Sequence, residues 1–210
     1  TAYRRQRQMC IRDSFHPLLI SIAVVIVFLA VFDIDYQNYN DGAKYLSYLL
    51  TPATVCLAIP LYEQMEALKK NIKAILAGIL SGVLTSLTVV LALALIFNLN
   101  HKMYVTLLPK SITTAIGMGV SEELGGAVTI TVAVIIITGV LGNMLAETLC
   151  KLFHIEEPIA KGISIGSASH AIGTAKAMEM GDVEGAMSSL SIAVAGILTV
   201  VGASIYAMFI

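Results

Sequence analysis

The sequence predicts an all-α integral membrane protein. Of its 210 residues, 57% are hydrophobic and only 13% are charged, whereas soluble domains usually carry about 25% charged residues. The mean hydropathy is +0.85. Residues 74–101, 124–146 and 185–210 contain no Asp, Glu, Lys or Arg. Each run is long enough for a helix to cross a hydrocarbon core, which takes about 20 residues.

The apolar residues form seven segments of two kinds. The segments are 16–33, 44–62, 72–98, 104–121, 126–153, 158–179 and 185–209. The odd-numbered ones are continuous runs that indicate plain spanning helices. Segments two, four and six are interrupted by Pro, Gly, Ser and Thr, which predicts broken or re-entrant elements. Together they make one transmembrane domain over residues 15–210.

Residues 1–14 differ from the rest of the chain. They contain every arginine of the protein, namely Arg4, Arg5, Arg7 and Arg12, while all other basic residues are lysines. We interpret these residues as a non-native or disordered leader.

The interrupted segments resemble one another. Ala58-Ile59-Pro60, Ala115-Ile116-Gly117 and Ala171-Ile172-Gly173 recur about 56 residues apart, which indicates an internal repeat of one broken and one plain segment. Two groups of lysines suggest the orientation of the repeats. By the positive-inside tendency, residues 69–73 and 151–161 would both face the cytoplasm, which requires segment four to be re-entrant.

A break inside a membrane helix needs an explanation, because an unpaired backbone group that faces lipid costs several kcal/mol. Transporters use such breaks to direct helix termini at ions and charged substrates. The alternative is that Gly and Ser only allow helices to pack closely. Close packing explains the glycines well, but it explains the polar clusters in segments four and six poorly.

The first cluster surrounds Lys110. It follows Pro109 and precedes Ser111, Thr113 and Thr114. A charge at membrane depth is costly and is usually paired or functional. The ammonium group and the neighbouring hydroxyls could bind a small carboxylate. The alternative is an interfacial lysine whose side chain extends to the headgroups.

The second cluster contains Ser167, Ser169, His170 and Thr174. At helical spacing His170 and Thr174 share a face, whereas a gap near Gly173 would expose backbone donors. His170 could bind an anion or relay a proton, since its charge changes near neutral pH. The alternative is a hydrogen-bonded structural histidine.

Two adjacent carboxylates, Glu122 and Glu123, close the fourth segment. They are further candidates for proton coupling, and the alternative is an interfacial pair. The sequence contains no nucleotide-binding glycine loop, metal-ligand set or catalytic triad, so we expect neither an enzyme nor a cofactor. It also lacks a basic tract with interleaved aromatic residues, so we expect no nucleic-acid partner.

These stretches resemble the signature motifs of the LrgB/CidB family. The similar stretches are Leu107–Thr114 with Ser121-Glu122, Ala168–Ala175 with Gly185–Leu190, and Pro52–Val55 with Leu61-Tyr62. The resemblance covers residues 16–210. The sequence departs from the family pattern where Ala115 and Gly117 stand, since proline and alanine are common there. A break set by that proline would here depend on Gly117 and Gly119.

The resemblance implies a multi-pass protein of the bacterial cytoplasmic (inner) membrane, usually encoded with a small LrgA-like membrane partner. The family has been described as antiholin-like, modulating murein hydrolase activity and cell lysis. Some members, and related plastid proteins, are associated with transport of small carboxylates such as pyruvate and glycolate. The buried cationic clusters favour transport, with a small carboxylate, the lipid bilayer, an LrgA-like protein and other copies of the chain as partners.

Overall fold

The computed structural model describes residues 17–49, 52, 55–56 and 58–210. The chain divides into two compact units, residues 1–56 and 57–210. In the described part of the first unit, an apolar helix α1 (Pro17–Val31) is followed by a polar helix α2 (Tyr36–Ser47). Residues 1–14, where the leader is predicted, lie outside the described residues.

The second unit contains three helices that are long and apolar enough to cross a membrane. They are α4 (Met65–Ile96), α7 (Val128–Leu152) and α9 (Asp182–Tyr206), which continues as a 3₁₀ turn over Ala207–Phe209. The other elements are α3 (Ala58–Glu63), α5 (His101–Leu107), α6 (Thr114–Glu123) and α8 (Pro158–Met180). Every element in the described parts of the chain is helical, as the sequence predicts.

The predicted break in the fourth segment is present, and α5 and α6 fold back on each other around it. On α7, Thr131 Oγ1 lies 3.0 Å from the carbonyl oxygen of Thr106 and 2.7 Å from Ser121 Oγ, within hydrogen-bond distance of both. An ideal Cβ on Gly117 would lie 3.5 Å from the carbonyl oxygen of Pro109. The two helices are therefore antiparallel, and residues 108–113 form the tip of this first hairpin.

The predicted break in the sixth segment is also present, in α8. His170 has φ 42° and ψ −141°, which interrupts the helix. A Cβ on Gly173 would lie 3.3 Å from the carbonyl oxygen of Ile165, although these residues would be about 12 Å apart along a straight helix. We call residues 158–169 the entering arm and residues 171–180 the returning arm of this second hairpin.

The hairpins enter from opposite ends of the second unit. The base of the first lies beside the carboxyl terminus, because His101 Nδ1 is 2.6 Å from the carbonyl oxygen of Ile210. We call this the carboxyl end. The base of the second lies where α7 ends and α9 begins. We call that the basic end, since it carries the five lysines used above for orientation: Lys69, Lys70, Lys73, Lys151 and Lys161.

Two details of the predicted breaks are wrong. The fourth segment does not break at Gly117 or Gly119, which lie inside α6, but before Thr114. The sixth breaks at His170 and not near Gly173, so His170 and Thr174 do not share the face of one regular helix. The break predicted in the second segment falls on residues that include undescribed positions. The count of seven segments and the three-copy repeat therefore stay predictions.

Candidate functional site

The candidate site is a cavity of about 850 Å³ between α4 and the entering arm of α8. Asn71, Ile155 and Glu157 line it near the basic end, and Lys110 and Ser111 lie at its inner end. Both predicted clusters thus contribute to one cavity, because Ser167 of the second cluster lines it as well. Most of the remaining lining is small or apolar. The cavity extends from the basic end to the tip of the first hairpin and is open along its side, where Ser81, Thr85 and Val89 of its lining are exposed.

Lys110 is held at this tip by hydroxyl groups. Its Nζ donates to Ser111 Oγ at 3.1 Å, and Ser111 Oγ lies 3.0 Å from Ser86 Oγ on α4. Ser86 is about 15 Å along α4 from Ile96 at the carboxyl end, roughly half of a hydrocarbon core. Among the described residues, no carboxylate lies within ion-pair distance of Lys110. The ammonium group is therefore half-buried and has no ion-pair partner among the described residues.

Glycines allow the entering arm to lie close to α4 along the cavity. A Cβ on Gly78 would be 3.4 Å from Ile163, and one on Gly82 would be 3.0 Å from Ser167 Oγ. The Ser167 hydroxyl donates to the carbonyl oxygen of Ile163 at 2.7 Å, so its own helix satisfies its donor. A larger residue at position 82 would separate the two walls and displace Ser167.

The tip of the second hairpin is buried against α7. His170 is 3% exposed, and its Nε2 lies 3.0 Å from the carbonyl oxygen of Ile135. The Thr174 hydroxyl donates to the carbonyl oxygen of His170 at 2.9 Å, and Asn143 Nδ2 donates to that of Ile172 at 2.6 Å. These bonds replace some of the backbone hydrogen bonds that the helix loses at the break. Two of them come from α7, which therefore stabilises the break.

The other predicted site residues lie outside the cavity. Thr113 and Thr114 begin α6 and are half-buried, and Ser169 is buried against Gly142 of α7. Glu122 and Glu123 are exposed at the end of α6, on the base of the first hairpin. Neither carboxylate lines a cavity found among the described residues.

Sequence reasoning missed the contribution of α4, because an uninterrupted apolar run indicates a plain spanning helix. In the structure, α4 forms one wall of the cavity with Gly78, Ser81, Gly82, Thr85 and Ser86. These small and polar residues recur three or four positions apart, which places them on one helical face. Small and polar residues at this spacing within an apolar run could have predicted that α4 lines a cavity. Asn143, a buried amide inside another apolar run, was missed too.

Three spanning helices and two opposed hairpins define a polytopic membrane protein with broken helices in its interior. The LrgB-like family model matches residues 2–209, and the chain belongs to this family.

Curated relatives cover nearly the whole chain. It is 40% identical to the protein named "Antiholin-like protein LrgB" of Bacillus mycoides (strain KBAB4), over 196 residues that are 93% of this chain and 85% of the relative. The same values hold for the proteins of that name from Bacillus cereus (strain B4264) and Bacillus anthracis (strain CDC 684 / NRRL 3495). No solved structure matches the chain.

Proposed function

We propose that this chain is a membrane transport subunit for small monocarboxylates of the pyruvate and glycolate class, acting by secondary transport. The observation that carries the proposal is the position of Lys110. Its ammonium group lies at the inner end of a cavity that reaches the basic end, and no described carboxylate pairs with it. A half-buried charge without a counter-charge has lost part of its hydration, and a carboxylate substrate would supply the missing charge.

The groups around Lys110 suit one carboxylate. The ammonium group would act as a point charge, and the hydroxyls of Ser111 and Ser86 could donate to the carboxylate oxygens. These hydroxyls bond to each other and to Lys110, so binding would exchange those bonds for bonds to substrate. The cavity is much larger than such an acid, and only its inner end offers this chemistry.

The opposed hairpins suit a transport cycle. The tip of the second hairpin and α6 of the first reach α7 at the same level, since Ile135 contacts His170 through its carbonyl oxygen and lies against Gly117 with its side chain. Broken elements that meet near the middle of a membrane protein are typical of secondary transporters. Movement of either hairpin would open a path to one end while the other hairpin closes the opposite path.

We also propose the setting of this transport. The five lysines of the basic end would face the cytoplasm, and the chain would reside in the bacterial cytoplasmic (inner) membrane. An LrgA-like small membrane protein would be its partner, and it could also form homo-oligomers. The cavity would then open to the cytoplasm in the present arrangement.

The test is uptake of labelled pyruvate and glycolate into proteoliposomes, with and without an LrgA-like partner. Saturable uptake that unlabelled acid competes for, above empty liposomes, is the expected result. No uptake of either acid in any combination would contradict the proposal.

A second candidate is an antiholin-like regulator of murein hydrolase activity and cell lysis. The name shared by the relatives at 40% identity favours this candidate more directly than it favours transport. Expression of the chain in a bacterial host would then change the rate of autolysis even when Lys110 is replaced by alanine, because an assembly role depends on packing. If Lys110→Ala loses both uptake and the effect on autolysis, the effect on lysis would depend on transport.

A further inference from the structure

A second, more polar cavity lies at the base of the second hairpin, at the basic end of the protein. Its volume is about 410 Å³. The end of α7 contributes Glu147, Cys150 and Lys151, and the following turn contributes His154 and Glu156. The entering arm contributes Lys161, the returning arm contributes Glu179, and α9 contributes Glu184.

Glu184 differs from the other carboxylates of this cavity because it is buried. It is 9% exposed, while Glu179 is exposed and pairs with Lys176 at 3.4 Å. Glu147 lies 3.9 Å from Lys151. No ion pair or hydrogen bond from another described residue reaches the Glu184 carboxylate. The carboxylate turns back over Gly181 in the first turn of α9, and its negative charge has no partner there among the described side chains.

The position of Glu184 connects it to both arms of the hairpin. A Cβ on Gly162 of the entering arm would lie 3.1 Å from Glu184 Cα. The next residue, Gly185, would place a Cβ 3.2 Å from Met178 Cα of the returning arm. Neither arm can therefore move far without disturbing the turn that carries this carboxylate.

Further buried polar groups lie along α9 beyond Glu184. Ser188 lies one helical turn further along α9 on the same face and is fully buried. Its Oγ is 2.7 Å from Thr174 Oγ1, which donates to the carbonyl oxygen of His170. These bonds connect Ser188 of α9 to the tip of the hairpin.

We propose that Glu184 is the proton-binding residue that couples transport to a proton gradient. This inference rests on the transport function proposed above. One proton from the opposite side of the membrane would neutralise the carboxylate while substrate is carried, and the proton would leave to the cytoplasm through the polar cavity. Coupling is thereby assigned to a buried carboxylate between two arms, and not to the exposed Glu122 and Glu123.

The geometry favours a proton over a metal ion as the occupant. No group of three or more His, Cys, Asp or Glu side chains arranged to hold a metal ion occurs in the described part of the chain. Two lysines also line this cavity, and their charges oppose a second cation. A proton requires only the one carboxylate, and its loss or gain changes the charge directly between the hairpin arms.

The experiment compares two modes of transport in proteoliposomes that contain the full chain. Accumulation of labelled pyruvate is driven by an inward proton gradient, and exchange is measured at equal pH with pyruvate on both sides. We expect Glu184→Gln to lose gradient-driven accumulation and to retain exchange, because a permanently neutral side chain permits the cycle without carrying a proton. Glu179→Gln, which alters an exposed carboxylate of the same cavity, should retain both.

Gradient-driven accumulation by Glu184→Gln at the wild-type level would overturn the assignment. Absence of exchange in the wild type would instead overturn the proposed transport function, and the coupling role with it. If Glu184→Gln does not fold, Glu184→Asp supplies the readout, because it keeps a titratable group in a changed position. Glu184→Asp should retain gradient-driven accumulation, but the pH dependence of that accumulation should be displaced from that of the wild type. An unchanged pH dependence would also overturn the assignment.

Discussion

The imidazole Nε2 of His170 lies 3.0 Å from the carbonyl oxygen of Ile135. The bond joins the tip of the second hairpin to a spanning helix, and the side chain of the same isoleucine packs against α6 of the first hairpin. A single turn of α7 is therefore the point where elements from both ends meet. Changes at this level should affect both hairpins.

The backbone of His170 should be strained, since its φ of 42° and ψ of −141° lie in a region that only glycine occupies easily. His170→Gly and His170→Ala both lose the bond to Ile135, but only glycine relieves the backbone. We expect His170→Gly to be the more stable of the two by about 1–3 kcal/mol. Thermal unfolding in detergent measures the difference. A glycine variant no more stable than the alanine variant would show that the break is not strained.

Thr131 should hold the first hairpin in place. Thr131→Val keeps the shape of the side chain but removes the hydroxyl that bonds to Thr106 and Ser121. We expect a loss of about 1–3 kcal/mol in stability, because the buried partners lose a donor. Thr129→Val, an exposed substitution on the same helix, should change stability little. Equal effects of the two substitutions would contradict the assigned role.

Gly142 should be required for the second hairpin to pack on α7. A Cβ at this position would lie 2.5 Å from Ser169 Cβ, and Ser169 is buried. We expect Gly142→Ala to lower the midpoint of thermal unfolding, with an overpacking penalty of about 1–3 kcal/mol. Gly119→Ala is the control, since no atom lies within 4 Å of an added Cβ there. It should leave the midpoint unchanged or raise it.

The membrane class and the breaks in segments four and six could be predicted because both follow from composition. Long uncharged runs have only one stable environment, Pro109 cannot continue a helix, and the Gly, Ser and Thr residues of segment six are unfavourable inside one. The position of the second break could not be predicted. It lies at His170 and not at a nearby glycine, because contacts with Ile135 and Asn143 of another helix stabilise it.

The candidate site was predicted only in part for a similar reason. Lys110 and Ser167 stand out as polar residues in an apolar context, and they do line one cavity. Ser86 and Glu184 did not stand out. Ser86 is an ordinary hydroxyl in a spanning helix, and Glu184 follows a polar turn that indicates solvent. Ser86 lines the cavity and Glu184 is buried only because α4 and the hairpin arms pack around them, and the sequence does not show that packing.

The central claim is that Lys110 binds the carboxylate of the substrate. The most direct measurement is saturable uptake of labelled pyruvate by Lys110→Ala and by Lys102→Ala, each compared with wild type. Lys102 is an exposed lysine on α5 of the same hairpin, so it controls for the loss of a positive charge. The account predicts that Lys110→Ala, while still folded, loses uptake and that Lys102→Ala keeps it. Wild-type uptake by Lys110→Ala would contradict the account.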